Sequence, residues 1–291
     1  MNQKIELRKC IESSENESFR WEYMNISCKN GVPFVSYAFW FGGSMKGNRR
    51  HSYEQLKSNI GTPFLLFTEN NISKLEVKGH PFHPAVKYTL KYKKGLSGNH
   101  LSDYFRIYMS YHFGGAYHDI KSRLDTQSIE ESWRYFINSN IWVVGMAEIG
   151  WVAGDLDVKE YILQQEKPGK NDLIVSPDGK WDDQNLKETN LISNGAWIAR
   201  PKTDLFKKVN NFAERRLTGW FQEIKRYPVL NLKRCCLRNE TYGYPVHWTG
   251  LQGSIFHPYQ AVYRSHIIRD LPWYDLQGTF HYSDKSERVV I

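Results

Sequence analysis

The chain has 291 residues, enough for one large α/β domain or two small ones. Its net charge of +8 favours anionic partners such as nucleotide diphosphates, nucleic acid or an acidic membrane surface, although the cations are spread along the chain in short clusters. No run approaches about 18 apolar residues and residues 1–20 have no apolar core, so neither a membrane span nor a signal peptide is visible and a cytoplasmic protein is expected.

Aromatic residues make up 15% of the chain, with 10 Trp and 18 Tyr, and such faces suit either a packed core or stacking on sugars and bases. The four cysteines, Cys10, Cys28 and the adjacent Cys235-Cys236, form neither a metal-binding pattern nor a disulfide framework, which suits a reducing compartment. No RRM, KH or zinc-finger signature accompanies the positive charge, so nucleic acid is not an expected partner.

Residues 1–31 are polar and weakly periodic and read as an N-terminal appendage; residues 32–291 read as a single domain, with no repeat or low-complexity linker. The first strong strand is Val32–Phe41, closed by Gly42-Gly43. A helix over Ser52–Asn59 and a strand over Pro63–Thr68 follow, and this order suggests a parallel βαβ unit. The first strand is not followed by G-x-G-x-x-G, and no Walker loop occurs, so a dinucleotide or P-loop site has no support.

Leu101–Arg123 is the most informative stretch. Leu101, Tyr104, Phe105, Tyr108, Met109 and Phe113 recur at three- and four-residue spacing, which predicts an amphipathic helix with one buried face. Asp103 and Arg106, three apart, are neighbours on that helix. Gly114-Gly115 stops it and turns the chain. In the strand that follows, alternation sends Ala116, His118 and Ile120 to one face and Tyr117, Asp119 and Lys121 to the other.

Further strands are expected at Ile141–Ala147, leading to Glu148, and at Asn194–Arg200. Between them, the polar stretch from Asp155 to Lys187 contains a literal D-x-D, Asp155-Leu156-Asp157, without the helix and glycine pair that precede Asp119. Thr203 or Asp204 caps a helix that runs through Leu217.

Ser102, Asp103, Arg106, Phe113, Gly114, Gly115, Tyr117 and Asp119 together resemble the sugar-nucleotide motif of DXD-type glycosyltransferases. The likeness is to family 32 and its relatives among the glucosylating toxins, whose pattern is S/A-D-x-x-R, then Y/F-G-G-x-Y-x-D-x-D. This chain departs from it at Lys121, which replaces the second Asp. Trp40 matches a strand-end Trp that stacks on the nucleotide base in that family, and Asn194 lies in a segment matching its acceptor side. The segment Tyr244–Gly250, which includes Trp248, and Gly253–His257 resemble a late P-x-x-x-T-G element. His281-Tyr282-Ser283 loosely matches a C-terminal element that closes over the donor phosphates.

The resemblance implies an α/β fold of the GT-A type, a nucleotide-binding α/β sandwich with a mostly parallel central sheet. It implies transfer of a sugar from a nucleotide-diphosphate sugar to a glycan or lipid-linked acceptor with retention. The alternative is a noncatalytic sugar- or nucleotide-binding descendant. Asp119 and Lys121 are then the expected catalytic residues, with Trp40, Asp103, Arg106, Tyr117, Gly114 and Gly115 on the donor side and Glu148, Asn194 and Trp248 on the acceptor side. A divalent cation, Mn²⁺ or Mg²⁺, is the family's usual cofactor. Here Lys121 could supply an ammonium in place of its charge, or Lys121 could face solvent while Asp119 and a distal ligand such as His281 hold the metal.

Overall fold

Alternating apolar residues set Ser36–Trp40 (β3) and Phe64–Thr68 (β4) side by side as parallel strands, with Tyr37 opposite Leu65 and Trp40 opposite Thr68. The computed structural model describes residues 25–120, 128–147, 191–230, 232, 243–247 and 249–272. Ahead of β3, Cys28–Lys29 (β1) and Val32–Pro33 (β2) form a short antiparallel hairpin. That hairpin straddles position 31. Asn30 donates to the Trp133 carbonyl at 3.0 Å and accepts from Arg200 through its own carbonyl at 3.2 Å, so residues 25–31 lie against the main body.

The main sheet has six strands in the order β4-β3-β5-β7-β6-β8, adding Gly115–His118 (β5), Val143–Ala147 (β6), Ile192–Ala199 (β7) and Ile267–Ile268 (β8). β5 pairs parallel to β3, and β8 parallel to β6; β7 alone runs against its neighbours on both sides. The result is a mixed α/β architecture around a mostly parallel sheet.

Helices cover both faces. Tyr37, Phe39 and Tyr117 point into the larger core, with Phe105 and Tyr108 of Gly98–His112 (α3) and Phe206 and Leu217 of Asp204–Arg226 (α4). Ala116, Ala196 and Ile198 face the other way, against Leu56 and Ile60 at the end of Gly47–Asn59 (α1) and Trp133 of the 3₁₀ turn Glu130–Ile137. The period-two alternation expected for residues 116–120 is therefore observed.

Several boundaries differ from the sequence reading. The long strand expected over Val32–Phe41 is broken at Phe34 and Val35, and α4 runs nine residues beyond Leu217. Pro84–Tyr92 (α2) was not expected at all; Pro84 sits at its first position, and the His83 ring accepts from the Ala85 amide at 3.1 Å as its cap. Gly253–Val262 (α5) forms despite Pro258 inside it. Cys28 is disulfide-bonded, although the cysteine spacing suggests no disulfide framework and suits a reducing compartment; the other three cysteines lie outside the described residues. Among the described residues, no helix is long and apolar enough to cross a membrane.

Gly114 has φ +66°, and a β-carbon there would meet Pro201 Cδ at 2.7 Å and the Ala199 carbonyl at 2.8 Å. Gly219, inside α4, has open space around it. Gly114→Ala should therefore destabilise the fold by about 2 kcal/mol, whereas Gly219→Ala should stabilise it by roughly 0.5–1 kcal/mol. Urea unfolding of the two variants checks this, and midpoints that move in the same direction would contradict it.

Of the buried histidines, His83 and His112 lie on the α2–α3 side of the sheet and His118 on the opposite face of β5. Burial pushes His83 down to about 4 and His118 to about 3, the latter against the pull of Asp119; His112 falls to about 3 through burial first and then Lys202 and His80. These groups stay neutral in the folded chain while the unfolded chain takes up protons below about pH 6.5. Stability is thus full above that pH and falls as pH drops toward 4. Glu214, raised by burial, works in the opposite direction but is one group against three. The urea midpoint should decline from pH 7.5 to 4.5, by about 3 kcal/mol or more in unfolding free energy; a flat profile would contradict the placement of these rings.

Candidate functional site

From β3 the chain crosses α1 to β4 on one side, then passes through α2 and α3 to β5 on the other side. The strand order reverses at β3/β5. In open α/β sheets the crevice outside the carboxyl ends of the strands at such a reversal is the usual ligand site.

Asp119 follows β5 directly, and its amide donates to the Gly195 carbonyl at 2.7 Å, which prolongs the pairing with β7 past the last strand residue. The Tyr117 hydroxyl donates to Asp119 Oδ1. The Tyr117 ring is held by Trp197 at 5.2 Å and Phe39 at 5.9 Å between centroids. Burial pushes this phenol far above its ordinary range, so it remains a proton donor at neutral pH.

The second turn of α3 supplies the other half. Ser97 caps the helix by accepting from the His100 amide at 3.2 Å, which fixes where that turn begins. Arg106 Nη2 lies 2.9 Å from Asp103 Oδ1 and 3.4 Å from Asp119 Oδ1. Arg106 Nη1 donates to the Asn194 carbonyl at 2.6 Å, and the guanidinium lies 4.6 Å from the centre of the Tyr117 ring. Asp103 and Arg106 are 8% and 7% exposed, so this is no surface ion pair. Burial works against the Arg106 charge, yet Tyr117, Asp119 and Asp103 together hold it more firmly protonated than an ordinary arginine.

Five expected residues are thus brought together: Asp103, Arg106, Tyr117, Asp119 and Asn194. Gln252, which sequence reasoning missed, joins them by donating to Asn194 Oδ1 at 2.7 Å from just ahead of α5. Nothing local marks it, because the pairing depends on how α5 packs against β7.

Others are placed apart. Trp40 ends β3 at the same sheet edge, but alternation turns it to the opposite face, onto Ala38, Tyr53 and Ile120. Its indole N–H donates to the Gly43 carbonyl at 2.7 Å, and Glu69 Oε1 accepts from the Gly42 and Gly43 amides at 3.2 Å each, fixing the loop. Gly114 and Gly115 stand at the start of β5, the whole strand away from Asp119. They serve the turn and the close packing there, where a β-carbon on Gly114 would meet Pro201 and Ala199 and one on Gly115 would meet Val35. Lys121, Glu148, Trp248, His281 and Asp155-Leu156-Asp157 lie outside the described residues.

Two carboxylates share one guanidinium, which leaves the cluster rich in acceptors and suited to hydroxyl donors. Among the described residues, no group of three His, Cys, Asp or Glu side chains is arranged to hold a metal ion, and Asp119 Oδ1 is already taken by Arg106 and Tyr117. The described side chains do not by themselves fit a divalent cation.

No family model, curated protein or solved structure matches this chain.

Arg106 is the only cation in contact with either aspartate among the ion pairs of the described residues. Arg106→Ala removes the cation shared by the buried Asp103 and the half-buried Asp119 and should cost about 3 kcal/mol of stability or more. Replacing Arg106 by Met together with Asp103→Asn and Asp119→Asn should recover most of that loss. A cost below about 1 kcal/mol for Arg106→Ala in urea unfolding would show that the pair is solvated.

Proposed function

We propose that this chain is a glycosyltransferase that moves a sugar from a nucleotide-diphosphate sugar to a glycan or lipid-linked acceptor, with retention at the transferred carbon. The observation that carries the reading is the convergence of Asp103, Arg106, Tyr117 and Asp119 at the strand-order reversal. Asp103 and Arg106 come from α3 and Tyr117 and Asp119 from β5 and the residue after it, and they are the ones whose spacing resembles the DXD-type motif. A mostly parallel sheet with one reversed strand suits the GT-A type of fold.

In this reading Asp103 and Asp119 accept hydrogen bonds from hydroxyls of the sugar and ribose. Arg106 holds both carboxylates in place and ionised, and Tyr117 orients Asp119 by donating to it. Such preorganised groups lower the barrier by fixing the donor's orientation before the glycosidic bond breaks. The acceptor-rich cluster does not bind the diphosphate itself. Neutralising that charge would fall to a group outside the cluster, for which the sequence offers the Lys121 ammonium; a Mn²⁺ or Mg²⁺ ion would need ligands besides Asp119, whose Oδ1 is engaged. A second reading, a noncatalytic sugar- or nucleotide-binding descendant, draws support from the engagement of Asp119 Oδ1 by two neighbours.

Incubation with a panel of nucleotide sugars, with and without Mn²⁺, separates the two readings, because a transferase slowly hydrolyses its donor without any acceptor. Asp119→Ala should lower that hydrolysis at least about 100-fold while the protein remains folded, the scale of losing a main positioning and electrostatic contact. Unchanged turnover in a folded Asp119→Ala protein would place the chemistry elsewhere. Binding of a donor without turnover of any would favour the descendant.

A further inference from the structure

The face built by α2 and the end of α4 carries a concentration of cations that the candidate site does not use. Lys87 and Lys91 lie on α2, Lys93 and Lys94 follow it, and Lys225 and Arg226 end α4. The two elements are joined through aromatic rings, with Tyr88 4.9 Å from Tyr92 and 6.2 Å from Phe221, centre to centre. Below them Gly95 and Val229 exchange a pair of backbone hydrogen bonds, both 2.9 Å. Among the described residues, only Lys87 of these six cations has a carboxylate within ion-pair distance, Glu76 at 2.5 Å. Glu223 stands two residues ahead of Lys225 on α4. The patch is therefore strongly positive.

It is also apolar at its tip. Tyr92 is 52% exposed and Leu230 is 69% exposed, two of the four large apolar side chains left bare among the described residues. Lys91 Nζ lies 5.1 Å from the Tyr92 ring centre, and Lys225 Nζ 4.7 Å from that of Phe221.

We propose that this face docks on an anionic lipid bilayer. Clustered Lys and Arg side chains are attracted to anionic headgroups, and a tyrosine with a wet tip and an apolar body belongs at the headgroup level. Leu230 favours lipid over nucleic acid, since an aliphatic side chain gains at the acyl boundary but offers no face for a base to stack on. The attachment is peripheral and reversible, of the kind a basic patch with shallow apolar insertion supports. Lys94 stands three residues ahead of the Ser97 cap of α3, the helix that carries Asp103 and Arg106. Docking through this patch therefore holds the candidate site's edge of the sheet close to the bilayer. The proposal stands on the surface alone and does not require the transferase reading.

Sedimentation of the intact protein with sucrose-loaded vesicles tests it. Vesicles of phosphatidylcholine with about 30% phosphatidylserine should bind the protein at least about 10-fold better than phosphatidylcholine alone at about 0.1 M salt, and the difference should collapse near 0.5 M. Lys91→Glu with Lys94→Glu and Lys225→Glu should remove that preference, while Tyr92→Ala with Leu230→Ala should weaken binding several-fold at unchanged salt dependence. Circular dichroism confirms folding, and a triple Lys→Gln variant replaces the Glu set if that set fails to fold. Donor hydrolysis should be untouched by the three lysine changes, so failure here is distinct from failure of the transferase reading. Equal partition onto neutral and anionic vesicles, or undiminished binding by a folded lysine variant, overturns the proposal. Tighter capture by a single-stranded RNA oligonucleotide than by anionic vesicles, lost in the same variants, overturns it in favour of a nucleic-acid surface.

Discussion

The guanidinium of Arg106 is the interaction on which the rest of the site depends. It is buried, and a buried cation is tolerated only where its donors and its charge are met. Asp103 and Asp119 meet the charge, the Asn194 carbonyl takes another donor, and the Tyr117 ring covers its face. Each of those partners comes from a different point in the chain. One side chain therefore ties α3 to the end of β5 and to β7, and fixes Asp103 and Asp119 relative to each other.

The fold explains why that geometry is possible. β5 lies between β3, to which it is parallel, and β7, to which it is antiparallel, so Asp119 is pinned by backbone pairing one residue beyond the strand. At the other end, Gly114 and Gly115 let α3 fold back onto the strand it precedes. The helix N-terminal half and the strand's carboxyl end are thereby brought to one edge. The glycine pair acts on the site through connectivity, at a strand's length from it.

Much of this was legible in the residues. The three-residue spacing of Asp103 and Arg106 placed them on one helix face, and alternation put Tyr117 and Asp119 on one side of a strand. The same alternation, applied to Tyr37, Phe39 and Trp40, separates Trp40 from Asp119; a strand-end position alone says which edge a residue reaches and not which face. Burial of Asp103 and Arg106 was not legible, because an i,i+3 ion pair has the same spacing on a solvated helix. Gln252 could not be found locally, since it meets Asn194 only through the packing of α5. The missed α2 had its signal in His83-Pro84, a cap followed by proline at the first helical position, but its nine residues carry few apolar positions to set a period.

Under the proposed function, a nucleotide-sugar ligand enters the crevice at the β3/β5 reversal and meets the Asp103–Arg106–Asp119 cluster. Photocrosslinking with a photoreactive nucleotide-diphosphate sugar, followed by peptide mapping, tests this most directly. Label should fall on peptides containing the end of β3, the first half of α3 and the residues just after β5, and excess unmodified donor should compete it away. Competable label confined to the opposite edge of the sheet, around Gly114 and Pro201, would contradict the account.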